Sequence, residues 1–191
     1  VSRIAIREAL SMLKGLGVLD VQHGRRTRVR TVGSEAIGHL LPMMLDSGTQ
    51  KTLDHVFDAR LALESRTAYL AAERWTDADM EELRELVARH RRLSRLGESK
   101  AVAVDLKFHL AIARITGNPL YPILLEALAG FIVLTQKESC KDDPARRRRA
   151  VLSHEAILDA LASRNPEWAR SEMKSHLLYS ATRQVDDTDD A

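Results

Sequence analysis

The stretch VDLKFHLAIARITGNPLY, residues 104–121, sets a carboxylate and an imidazole, Asp105 and His109, four residues apart. On a helix that spacing brings both to one face, with Ala101, Phe108 and Ile112, while Lys107 and Arg114 point elsewhere. A carboxylate on an apolar stripe is unfavourable unless something compensates its charge. Later, AVLSHEAILDAL puts His154 in register with Val151, Leu158 and Leu161, and EWARSEMKSHLLYS puts His176 in register with Ala169, Met173 and Ser180. Three imidazoles and one carboxylate on core-facing stripes suit a divalent transition metal. Nitrogen and oxygen donors without a thiolate favour Zn, Ni, Mn or Fe. Taken singly, each histidine also reads as a hydrogen-bonded core residue, and the spacing leaves both readings open.

The opposite end carries a different chemistry. In SRIAIREALSMLKGLGVLDVQHGRRTRVR, residues 2–30, the basic side chains are Arg3, Arg7, Lys14, Arg25, Arg26, Arg28 and Arg30, and the acids are only Glu8 and Asp20. The first 33 residues therefore carry +5 and the remainder −3, which points to a polyanionic partner for this end alone. Ser2 is placed to cap a helix. Ile6, Leu10 and Leu13 form its inward stripe, Arg3, Arg7, Ser11 and Lys14 share another face, and Gly15 and Gly17 end it. The β-branched residues on both sides of HGRR predict two short strands around a turn at Gly24. A helix with arginines near its start suits the major groove, and a basic hairpin beside it suits phosphate or the minor groove. A solvated amphipathic helix followed by a charged turn fits the same residues.

Between these ends the chain must supply a scaffold. Of 191 residues, 45% are hydrophobic and 4% aromatic, and one is Cys, which excludes an internal disulfide and a cysteine-based zinc cluster. No apolar run approaches a membrane span and no signal-peptide pattern is present, so the chain reads as soluble, cytoplasmic and without a membrane partner. Its start, already within a helix cap, predicts a natural protein that is longer at this end. After TVGSE the caps and breakers predict helices near 34–47, 52–75, 77–96, 99–116, 120–138, 145–164 and 166–184, and a disordered acidic tail. The expected fold is mainly α: a recognition helix with a β-hairpin wing, followed by an antiparallel helical bundle. Arg60 and Glu64 read as a surface pair four apart, and Arg146–Arg149 as a solvated face. His39, His55 and His90 show no constellation.

Ser2-Arg3, Ile6-Arg7-Glu8-Ala9-Leu10, Leu13, Gly17 and His23-Gly24 resemble the second half of the winged helix-turn-helix of GntR-superfamily repressors. The resemblance implies that Ser2, Arg3 and Arg7 contact double-stranded operator DNA and that His23 and Gly24 form the wing tip. Arg25 and Arg26 are phosphate contacts by charge. From about Gly33 to Gln184 the chain resembles the FCD-type ligand-binding domain of the FadR branch. Asp105, His109, His154 and His176 fill the four places of that domain's metal site. The resemblance also implies that Arg60 clamps an effector carboxylate at the pocket, with Asn118 of GNP at the family's helix-ending position as a second effector contact. The expected organisation is residues 1–32 as the C-terminal part of the DNA-binding domain, 33–185 as the effector domain and 186–191 as the tail. The expected function is a homodimeric, ligand-responsive repressor that binds a divalent metal and a small organic acid. The alternative is a metal-dependent enzyme acting on such an acid in the Asp/His₃ site.

Overall fold

The computed structural model describes residues 2–15, 17–20, 26–29, 34–45, 49–97, 99–131 and 143–181. The first module consists of α1 (Arg3–Gly15), β1 (Leu19–Asp20) and β2 (Arg28–Val29). The Ser2 hydroxyl accepts from the Ala5 N–H at 3.1 Å and caps α1. At its end Gly17 adopts φ 71°, a left-handed turn suited to glycine, and the Val18 N–H returns to the Leu13 carbonyl at 2.9 Å. The strands pair antiparallel, Leu19 with Val29 and Asp20 with Arg28, as the hairpin pattern predicts. The expected inward stripe of α1 is not inward. Ile6, Leu10 and Leu13 are 49%, 38% and 38% exposed, and the helix has no buried residue. Its substantial contact among the described elements is with β1 alone, too small a surface to cover that face.

The second module is a bundle of α2 (Ser34–Met44), α3 (Gln50–Arg74), α4 (Asp77–Arg95), α5 (Lys100–Ile115), α6 (Leu120–Ala127), α7 (Pro144–Ala162) and α8 (Pro166–Ala181). The boundaries follow their caps. Thr49 accepts from the Thr52 N–H at 3.3 Å and starts α3 two residues before the expected position. Thr76 and Asp79 form a reciprocal capping box at α4. Asp143 caps α7 with Pro144 at its first position. Gly117, at φ 72°, turns the chain after α5.

Helix α3 packs on α5, α7 and α8, α4 packs on α5 and α7, and α7 lies against α8. The main core joins Ala68, Ala71 and Ala72 of α3 to Met80 and Leu83 of α4, Phe108 and Ile112 of α5, Ile157 and Leu161 of α7, and Met173 and Leu177 of α8. The alanines let α8 approach α3 closely, and the Trp75 indole N–H donates to the Leu161 carbonyl at 2.7 Å, fastening α3 to α7. A smaller core of Val56, Ala113, Leu125, Leu128 and Phe131 joins α3, α5 and the α6 segment. The basic run is only partly a solvated face. Arg146 is buried and donates to the Ser180 carbonyl at 2.6 Å, and Arg147 donates to the Ser94 carbonyl at 3.2 Å, leaving Arg148 and Arg149 exposed. No described helix is long and apolar enough to cross a membrane.

Candidate metal centre

The stripes that place apolar side chains in the main core also deliver polar ones to its centre. On α5, Asp105 and His109 lie on the buried face with Ala101, Phe108 and Ile112; α7 contributes His154 between Val151 and Ile157, and α8 contributes His176 beside Met173 and Leu177. One ligand atom from each of Asp105, His109, His154 and His176 lies within 4.8 Å of the others, and all four residues are buried. The His154 Nε2 is 3.2 Å from Asp105 Oδ1, the His109 Nε2 is 3.8 Å from Asp105 Oδ2, and the Nε2 atoms of His109 and His176 are 3.3 Å apart.

Each imidazole is held on its other nitrogen by a different group. The His109 Nδ1 lies 2.5 Å from Glu64 Oε2, and the second oxygen of Glu64 accepts from the Arg60 Nε–H at 2.7 Å. The His176 Nδ1 meets the Ser153 hydroxyl at 2.7 Å, and the His154 Nδ1 meets the His90 Nδ1 at 3.1 Å. With the Nδ1 atoms engaged outward, the three Nε2 atoms converge on Asp105. Two donors each about 2.1 Å from a tetrahedral ion lie about 3.4 Å apart; three of the separations here, 3.2 to 3.8 Å, are near that spacing, and all lie within 4.8 Å. The His154 Nε2 is buried and 3.2 Å from Asp105 Oδ1 without hydrogen-bond geometry among the described residues, an arrangement that suits two donors to one cation. The donor set is therefore one that can hold Zn, Ni, Mn or Fe through nitrogen and oxygen.

The electrostatics divide the imidazoles. Burial alone would raise the Glu64 carboxyl, but the Arg60 guanidinium and His109 imidazole override it and hold it down at about 2. Burial would lower His109, but the Glu64 carboxylate outweighs it and the imidazole is raised. His154 and His176 are pushed well below the ordinary histidine value by burial and then by neighbouring imidazoles. Of the three imidazoles of the centre, His109 is thus the one favoured to hold an extra proton in the metal-free protein. Metal uptake is expected to release about one proton near pH 6.5, a release that fades once the pH exceeds the raised value of His109. Calorimetry of Zn(II) binding in two buffers of different ionisation enthalpy reads this number directly; a release of two or three protons would contradict the division.

The expected site residues fall into three groups. Asp105, His109, His154 and His176 are brought together, with Arg60 joined to them through Glu64. The Arg60–Glu64 pair is not the expected surface pair, since its side chains are 7% and 1% exposed. It continues the buried stripe of Val56, Thr67 and Ala71, and that register was the signal available in the sequence. His90, likewise set aside, lies on the stripe of Leu83, Val87 and Ser94 and is buried. Asn118 is exposed and outside the cluster; its Oδ1 accepts from the Leu120 N–H at 3.0 Å at the start of α6. Ser2, Arg3, Arg7 and Arg26 are exposed around α1 and β2, whereas His23, Gly24 and Arg25 lie outside the described residues.

Residues 55–179 match the model of the FCD domain. The HTH-type transcriptional regulator LutR of Bacillus subtilis (strain 168) is 30% identical over 181 residues, covering 93% of this chain and 82% of the relative. The HTH-type transcriptional repressor NanR of Enterobacter sp. (strain 638) is 32% identical, covering 93% and 69%. Among solved structures, Streptococcus agalactiae GntR superposes with a TM-score of 0.74 at 28% identity, covering 94% of this chain and 81% of that one. E. coli McbR/YncC shares the fold, with a TM-score of 0.66 at 22% identity over 98% and 82% of the two chains. These relatives set aside the enzyme reading: the chain belongs to the GntR family of HTH-type transcriptional regulators, in the branch that carries an FCD domain.

Proposed function

We propose that the chain is an acid-responsive transcriptional repressor whose FCD domain holds a divalent transition metal on Asp105, His109, His154 and His176. The observation that carries this reading is the convergence of three outward-anchored imidazoles on one buried carboxylate. Residues 1–32 are the C-terminal part of a winged helix-turn-helix, and 33–185 form the effector domain. Held by these four residues, the ion would supply positive charge to attract a small carboxylate. Arg60, its Nε fixed by Glu64, would clamp that carboxylate with its terminal nitrogens through a planar fork.

On the DNA side, exposed Arg3 and Arg7 on the capped first turns of α1 enter the major groove, and Arg26 with the wing lies along phosphate. A homodimer presents two such heads to a two-fold operator. The acid regulates by binding one arrangement of the heads more tightly than the other.

The test begins by selecting bound sequences from a random double-stranded DNA library with the intact protein. Affinity for the selected DNA is then titrated with two- to six-carbon mono- and dicarboxylic acids, on zinc-loaded and chelator-stripped protein. At least one acid is expected to change affinity by about 5–150-fold in the loaded protein only. Identical affinities with and without every acid, in both forms, would overturn the proposal.

A further inference from the structure

We infer that His90 is a positioning residue of this centre: it accepts the Nδ1 proton of His154 and thereby turns the Nε2 lone pair of His154 toward Asp105. The inference rests on the metal reading above and adds to it a residue from α4, a helix that supplies none of the four donors. A neutral imidazole carries one N–H and one lone pair, so the partner of one nitrogen decides the state of the other. The His154 Nε2 is fully buried, and its nearest described acceptor, Asp105 Oδ1 at 3.2 Å, lies outside hydrogen-bond geometry, so a proton is better satisfied on the other nitrogen. The proton belongs on Nδ1, whose neighbour is the His90 Nδ1 at 3.1 Å. His90 then keeps its own proton on Nε2.

The surrounding packing fixes this pair. Phe108 stacks on His154 with ring centroids 4.4 Å apart and 27° between planes, which sets the plane of the imidazole and therefore the directions of both nitrogens. His90 is 5% exposed on the stripe of Leu83, Val87 and Ser94, and the Arg91–Glu155 ion pair beside it holds α4 against α7. The other two imidazoles have analogous partners, a carboxylate for His109 and a hydroxyl for His176. In metal sites such outer partners orient the ligating ring, and their removal weakens binding by about 10–100-fold.

The experiment uses His90→Leu, which fills space without accepting a proton, and His90→Asn, whose Oδ1 takes the place of Nδ1. Zinc affinity of the intact protein is read by chelator competition. The proton-bearing nitrogen of His154 is read by long-range ¹H–¹⁵N NMR on the metal-free form. His90→Leu is expected to lose about 10–100-fold in zinc affinity and His90→Asn to recover most of it. In parallel, His154 should carry its proton on Nδ1 in wild type and the Asn variant but not in the Leu variant. Equal zinc affinity in all three proteins, or an Asn variant as weak as the Leu variant, overturns the role. If the wild type takes up no zinc, nickel or manganese, the metal reading fails separately, and the NMR arm still decides the pairing. If His90→Leu does not fold, the wild-type spectrum decides alone: a proton on His154 Nε2 overturns the inference, and one on Nδ1 supports it.

Discussion

Replacing His109 by alanine is expected to leave the purified protein essentially free of transition metal and to abolish acid binding. His109 stands at the junction of the site. Its Nε2 is 3.3 Å from the His176 Nε2 and 3.8 Å from Asp105 Oδ2, and its Nδ1 is anchored by Glu64. Truncation removes one of the four proposed donors and the ring that stacks on His176. Loss of an outer partner alone costs about 10–100-fold in affinity, so loss of a donor should exceed the upper end of that range. Mass spectrometry of metal content after dialysis, with calorimetry of Zn(II), measures the effect. His55→Ala is the control, because His55 is exposed. Near-stoichiometric metal in wild type and none in His109→Ala is the expected pair of results. Equal content in both would mean that the ion sits elsewhere.

The second large effect is on stability and needs no metal. Glu64 is 1% exposed, and it neutralises Arg60, itself 6% exposed, from within the same helix. Glu64→Leu leaves that guanidinium buried without a counter-charge, which is expected to cost about 3–5 kcal/mol. In a chain of this size that lowers the thermal midpoint by on the order of 10 °C. Arg60→Met combined with Glu64→Leu should recover the part of the loss due to the unpaired guanidinium, the part due to His109 losing its Glu64 partner remaining. The pH dependence carries a sign of its own. The Glu64 carboxyl is held at about 2 against an ordinary 4.5, so its contribution is complete above pH 4.5 and lost as the pH falls toward 2. The gap between wild type and Glu64→Leu should therefore close over that window. Calorimetric melting of the metal-stripped proteins at several pH values tests both points, and a leucine variant as stable as wild type at pH 7 would refute them.

The bundle was legible because its helices announce themselves locally. Thr76-Asp77, Asp143-Pro144 and the GNP turn each mark a boundary through short-range hydrogen bonds that the residue types dictate. The four convergent donors were legible for a related reason: a polar residue on an otherwise apolar 3.6-residue stripe is bound for the interior, whatever it meets there. What it meets was not legible. Arg60 and Glu64 look like any exposed i, i+4 pair until α8 and α5 are packed over α3, and the pairing of His90 with His154 exists only because α4 lies on α7. On α1 the limitation ran the other way. The period of Ile6, Leu10 and Leu13 marks an apolar face, but period alone says nothing of whether another element covers it. Asn118 serves a local turn, its carboxamide oxygen being engaged at the start of α6.

The burial of the four donors has a kinetic consequence. His154 is 0% exposed, His109 2%, Asp105 4% and His176 5%, so the proposed ion and acid would reach the centre only as the surrounding helices part. Entry is then governed by how often the bundle opens rather than by how fast the small molecule diffuses. At high acid concentration the observed rate reaches a ceiling set by the protein's own motion. On the proposed reading, an ion held between α5, α7 and α8 would exchange on that same slow clock. The metal enclosed as the helices close would then be the metal retained, with its identity set by supply during folding as much as by affinity afterwards.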